Sequence, residues 1–78
     1  MGTVTDRAKL IARIEVEARS YRDADAAIRD LRYGRVLGLL DAGATLGFWS
    51  RRKAAYVSEV IRNGAGVRQV GRALRRLG

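Results

Sequence analysis

Apolar side chains recur along this chain at intervals of three and four rather than two. Leu10, Ile11, Ile14, Ala18 and Tyr21 follow that spacing in the first third, and Val67, Val70, Leu74 and Leu77 follow it at the end. A period near 3.6 lines up such residues on one helix face, whereas a half-buried strand requires alternation. No stretch alternates long enough to read as a strand, and there is no proline to interrupt a helix. The expected fold is all-α, a compact bundle of four to five short helices. With 78 residues the chain reads as one small domain, 1–78. Twelve of its apolar residues are alanine, which favours closely packed helices or a core completed by a partner.

Local signals divide the chain further. Thr5 is the expected N-cap of a first helix running from Asp6 to about Ser20, with Arg13 and Glu17 as an i, i+4 pair on its outer side. Ser20 or Asp23 caps a second helix that carries Ala27, Ile28 and Leu31 inward. Near Tyr33-Gly34 the periodicity either breaks, giving a further helix over 34–42 that buries Val36, Leu37, Leu39 and Leu40, or bends within one kinked helix over 24–42. Gly43 then supplies the left-handed residue that ends it, and Thr45 caps the next helix. That helix spans 46–62, with Leu46, Trp49, Tyr56, Val57, Val60 and Ile61 on one side, and Asn63-Gly64 stops it. A last helix covers Val67 to about Leu77. The segment 40–46 also matches 61–67 at an offset of 21, either as a duplication or as two similar helix-glycine-helix junctions.

Charge is distributed unevenly over these elements. Residues 1–42 hold eight basic and seven acidic side chains, while residues 43–78 hold eight basic side chains against Glu59 alone. A charge-balanced scaffold half is thus joined to a strongly basic half, the arrangement expected of a binder of anionic partners. Arg outnumbers Lys by 14 to 2; a general preference for Arg accounts for that ratio but not for the loss of acids after position 42. Without Cys or His, the chain forms no disulfide, zinc site or His-based catalytic pair, so neither enzymatic activity nor a metal or other cofactor is expected. Asp23, Asp25 and Asp30 lack the glycine and closing Glu of a calcium loop, and no glycine-rich phosphate loop is present. The longest charge-free stretch, 42–50, has nine residues where a membrane span needs about 20, and Asp6, Arg7 and Lys9 interrupt any signal-like apolar run. A cytoplasmic protein with no membrane span is expected.

The segment from Ile61 to Leu74, with Asn63-Gly64-Ala65-Gly66-Val67-Arg68 at its centre and Arg72-Ala73-Leu74 at its end, resembles the helix-turn-helix of resolvases, invertases and transposases. That family shows an apolar helix end followed by Gly-x-Ser-Val-Arg-x-Ile-Ala-Arg-x-Leu. The stretch from Leu39 to Leu46 looks like the same opening, with Thr45 at the usual Ser/Thr position. The chain departs from the family in having only Arg75-Arg76-Leu77-Gly78 after Leu74, where a second turn and recognition helix would follow. The earlier copy has Trp49-Ser50 in place of Ile-Ala and lacks a glycine turn after Arg52. The resemblance implies a helix-turn-helix-like C-terminal half and DNA binding. In size and charge the chain also looks like small phage or mobile-element regulators.

Two clusters stand out as contact residues. Arg68, Arg72, Arg75 and Arg76 lie opposite the Val67, Val70, Leu74 and Leu77 stripe, which suits a helix packed by one face and binding phosphates or an acidic surface by the other. An ordinary surface helix whose Arg residues offset the C-terminal dipole has the same look, though it would usually include some Glu. Arg51, Arg52 and Lys53 follow Phe48-Trp49 directly. One reading buries Trp49 and leaves Phe48 for stacking or protein contact; the other buries Phe48. The expected function is a small regulator, of transcription, that binds nucleic acid, duplex DNA foremost, through these residues. The alternative is a modulator docked on an acidic surface of a larger host protein such as RNA polymerase.

Overall fold

The computed structural model describes residues 3–64 and 66–77 and contains four helices: α1 (Thr3–Asp23), α2 (Ala26–Thr45), α3 (Arg51–Arg62) and α4 (Val67–Arg75). There is no strand among the described residues. α1 and α2 form a long antiparallel hairpin, and the shorter α3 and α4 fold back over it, α3 against α2 and α4 against α1. One core joins all four helices: Ile14 and Ala18 from α1, Val36 and Leu40 from α2, Val57 and Ile61 from α3, Ala73 and Leu74 from α4.

The first helix begins earlier and ends later than its signals suggest. Thr5 falls within α1, which already includes Thr3, rather than at the N-cap position. Ser20 and Asp23 both remain within α1, so neither caps α2; that position falls to Asp25, whose backbone is extended (φ −65°, ψ 155°) and whose side chain makes no capping bond. A two-residue connection therefore joins the helices, with Ala24 N–H donating to the Tyr21 carbonyl at 3.3 Å. The Arg13–Glu17 pair forms at 3.3 Å, but Glu17 is only 5% exposed and sits in the helix seam rather than on the outer side. Its Oε1 finds no hydrogen-bond partner among the described residues.

α2 runs unbroken through Gly34 and Gly38, so the one-helix alternative holds and there is no separate helix over 34–42. Each interior glycine costs about 1 kcal/mol relative to alanine. Burial of Val36 and Leu40 close by is worth roughly 1.5–3 kcal/mol apiece, which outweighs that cost. The first half of α2 departs further from expectation: Ala27, Ile28 and Leu31 face solvent, with Leu31 64% exposed, as does Leu37. Helix phase explains this. Ala27 and Leu31 lie roughly opposite the face of α2 that carries Tyr33, Val36 and Leu40, and Ile28 borders a depression with Val16, Ser20 and Ala24 rather than with α3 or α4.

The α2–α3 junction is where sequence and structure differ most. Gly43 is helical and buried; the left-handed residue is Gly47 (φ 82°). Phe48 N–H donates to the Gly43 carbonyl at 2.9 Å and Gly47 N–H to the Ala44 carbonyl at 3.1 Å, the two bonds of a Schellman terminus. Thr45 is the last residue of α2, and Ser50 caps α3 by accepting from Lys53 N–H at 3.1 Å. Residues 46–50 form a turn, which leaves Leu46 65% exposed. The turn seats Trp49 in the core, where its indole N–H donates to the Leu40 carbonyl at 2.9 Å and its ring covers Gly43. A helix begun at Thr45 would forfeit that seat.

α3 ends as expected, with Asn63 as C-cap and Gly64 left-handed (φ 75°). The two glycine-ended junctions therefore correspond at Gly47 and Gly64, an offset of 17 rather than 21. α4 begins at Val67 as expected, with Gly66 in the cap position, and its helical bonding ends at Arg75. Val70, Leu74 and Leu77 are buried, Leu77 from the turn that follows the helix.

Candidate nucleic-acid interface

Arg51, Arg52, Lys53, Arg68, Arg72, Arg75 and Arg76 are all exposed, yet they do not form one surface. Arg72 and Arg76 are one turn apart on the side of α4 that faces α3. There they line a groove with Tyr56, Asn63 and Gln69, and no acidic side chain contributes to it. The Arg76 guanidinium lies 5.6 Å from the centre of the Tyr56 ring, within cation–π range. Arg75 lies on the other side of α4, in a depression bordered by Ala8, Ile11 and Glu15 of α1. Arg68 precedes Arg72 by four residues and Arg75 by seven, so helical periodicity places it between the two flanks.

The N-terminal cluster divides in the same way. Arg51 turns back to α2, where its guanidinium pairs with Asp41 and reaches Thr45 Oγ1 at 3.5 Å. Arg52 and Lys53 form no ion pair among the described residues and precede Tyr56 by four and three positions on α3. The contact of Arg76 with Tyr56 places the end of α4 beside the first half of α3. Arg52, Lys53, Tyr56, Arg72 and Arg76 thus share one end of the α3–α4 pair.

Phe48 belongs elsewhere. It is half-buried, packs edge-on against Trp49 with ring centres 6.1 Å apart, and borders a depression with Leu10 and Leu46 on the α1 side. Of the two aromatic readings, the structure takes the one that buries Trp49, but Phe48 is part of the packing rather than free. Tyr56, assigned to the core from its spacing, is instead 48% exposed and supplies the aromatic surface of the groove. Its position four residues after Arg52 is the signal that could have identified it.

The groove is held by a rigid frame. Tyr33 Oη donates to the Ser58 carbonyl at 3.3 Å and Tyr21 Oη to the Arg62 carbonyl at 3.4 Å, pinning the second half of α3 to the hairpin. Ser58 Oγ bonds back to the Ala55 carbonyl at 2.7 Å, so this buried hydroxyl is satisfied. No three His, Cys, Asp or Glu residues come together as a metal-binding group among the described residues. No helix among them is long and apolar enough to cross a membrane. No protein-family model, curated protein or solved structure matches the chain.

Proposed function

We propose that this protein is a small regulator, of transcription, that binds duplex DNA with the α3–α4 pair. The observation that carries this reading is the groove in which Arg72 and Arg76 flank Tyr56 with no acid on the lining. Guanidinium groups bind phosphate in forked pairs, and an exposed ring offers a stacking face. A four-residue turn, 63–66, joins the two helices, a length typical of a helix-turn-helix. In this arrangement α4 faces the DNA, and Gln69 on that helix, with Asn63 beside it, can read an adenine edge. Arg52 and Lys53 extend the phosphate track along α3.

With Arg52, Lys53, Arg72 and Arg76 each neutralising one phosphate, the slope of log affinity against log salt is expected to be about −3.5. Anisotropy titrations of a labelled duplex at several salt concentrations measure it. Absence of binding even at low salt contradicts the proposal. The Arg76–Tyr56 pairing also suits a second reading, docking on an acidic surface of a larger protein such as RNA polymerase, because Tyr and Arg dominate interface hot spots. That reading predicts a partner captured from lysate that survives nuclease treatment and is lost with Tyr56→Ala.

A further inference from the structure

A second basic cluster lies at the opposite end of α3. Arg19 and Arg22 of α1, Arg29 of α2 and Arg62 of α3 line one cleft of about 340 Å³, whose walls include Ile61 and Val70. None of the four guanidinium groups forms an ion pair among the described residues, and Glu15 is the one carboxylate on the lining among them. Three of these arginines come from the half of the sequence with balanced charge; folding gathers them here beside Arg62, with Glu15 alone of the acids of that half on the lining among the described residues. Four like charges around one recess repel each other unless an anion joins them.

One of the four, Arg29, is also held in place. Arg29 lies over the Tyr21 ring at 5.6 Å, and Tyr21 is fixed in turn by its bond to the Arg62 carbonyl and by Tyr33, whose ring centre is 5.5 Å away. Such restraint lowers the ordering cost of binding. The recess is large enough for a small organic ligand, and Ile61 and Val70 give it an apolar wall that a bare inorganic ion would leave unused.

We infer that this cleft binds a small phosphomonoester, with the phosphate held by Arg19, Arg22, Arg29 and Arg62 and an apolar or aromatic body against Ile61 and Val70. A doubly charged head matches four guanidinium forks better than a single carboxylate does. The site meets the α3–α4 groove at Asn63 but draws its arginines from outside it, and its existence does not depend on DNA binding.

Titration of the full chain with phenyl phosphate, followed by chemical shifts and calorimetry, tests the assignment. Saturable binding is expected, with shifts centred on Arg29, Ile61, Arg62 and Val70 and with tighter affinity than for inorganic phosphate. Arg29→Gln with Arg62→Gln should weaken it by at least about tenfold, the loss expected when charge-assisted bonds are removed. Arg19→Gln with Arg22→Gln serves as an independent pair should the first perturb folding. Arg72→Gln with Arg76→Gln should leave phenyl phosphate affinity unchanged. Equal affinity for phenyl phosphate in the wild type and both cleft pairs overturns the inference. So does full displacement of phenyl phosphate by a short DNA duplex with shifts in the same cleft, since the arginines then serve the nucleic-acid backbone.

Discussion

The two junctions that flank α3 end their preceding helices alike and start the next ones differently. At both, a left-handed glycine closes the helix, Gly47 after α2 and Gly64 after α3. The first junction is then sealed: Trp49 fills the space over Gly43, and Ser50 caps α3 with its side chain. The second carries Gly66 in the cap position with no side-chain bond, and the turn lies between the groove and the arginine cleft. One junction supports the core, while the other, with Asn63 and Gly64 exposed, lies between two basic surfaces. Glycine alone therefore does not reveal what a turn is for; the residues two and three positions later do.

Disrupting the sealed junction should have the largest effect. Trp49→Ala removes the buried indole and its bond to Leu40 and is expected to cost about 3–5 kcal/mol, enough to unfold a domain this small. Gly43→Ala attacks the same contact from the other side, because a Cβ there would overlap indole carbons. Overpacking of that kind costs typically about 1–3 kcal/mol. Urea unfolding followed by far-ultraviolet circular dichroism measures both.

The feature shared by the junctions should respond equally. Gly47→Ala and Gly64→Ala each place a side chain in the left-handed region at a cost of about 1–2 kcal/mol, and neither meets a neighbouring atom within 4 Å. A much larger loss at Gly47 than at Gly64 would mean that the sealed turn contributes beyond backbone conformation. The capping difference gives the smallest effects. Ser50→Ala should destabilise by about 1 kcal/mol, whereas Gly66→Ser should change stability by only a few tenths. Paired midpoints from the same denaturation series compare the two caps.

Legibility followed the range of the forces involved. The end of α3, the start of α4 and the burial of Ile14, Ala18, Leu74 and Leu77 could be read because Asn63-Gly64 and the helical spacings act locally. Thr45 and Ser50 are both competent caps, and Gly43 and Gly47 are both competent stops; the seat of Trp49 decides between them, and that is a tertiary contact. The i, i+4 rule found the Arg13–Glu17 pair but carries no information about which side of the helix is covered, so the burial of Glu17 was not foreseen. Exposure of Ile28 and Leu31 depends on which face of α2 the helices α3 and α4 cover, a choice made by tertiary packing.

The candidate contact surfaces show the same division. The seven candidate contact residues of the basic half were recognisable as exposed, but the separation of Arg72 and Arg76 beside α3 from Arg75 beside α1 depends on α4 having a neighbour on each flank. The diversion of Arg51 to Asp41 likewise requires α2 to end beside the start of α3. The cleft of Arg19, Arg22, Arg29 and Arg62 draws on three helices, and the acids adjacent in sequence concealed it.

The central claim is that nucleic-acid binding belongs to one side of α4 rather than to its whole basic surface. Two double substitutions of equal charge separate these possibilities: Arg72→Gln with Arg76→Gln in the groove on the α3 side, and Arg68→Gln with Arg75→Gln outside it. Each phosphate contact contributes about 0.9 to the slope of log affinity against log salt. In anisotropy titrations of a labelled duplex, the first pair should reduce the magnitude of that slope by about 1.8, and the second should leave it near the wild-type value. Equal reductions from the two pairs, or a larger one from Arg68 and Arg75, would contradict the account.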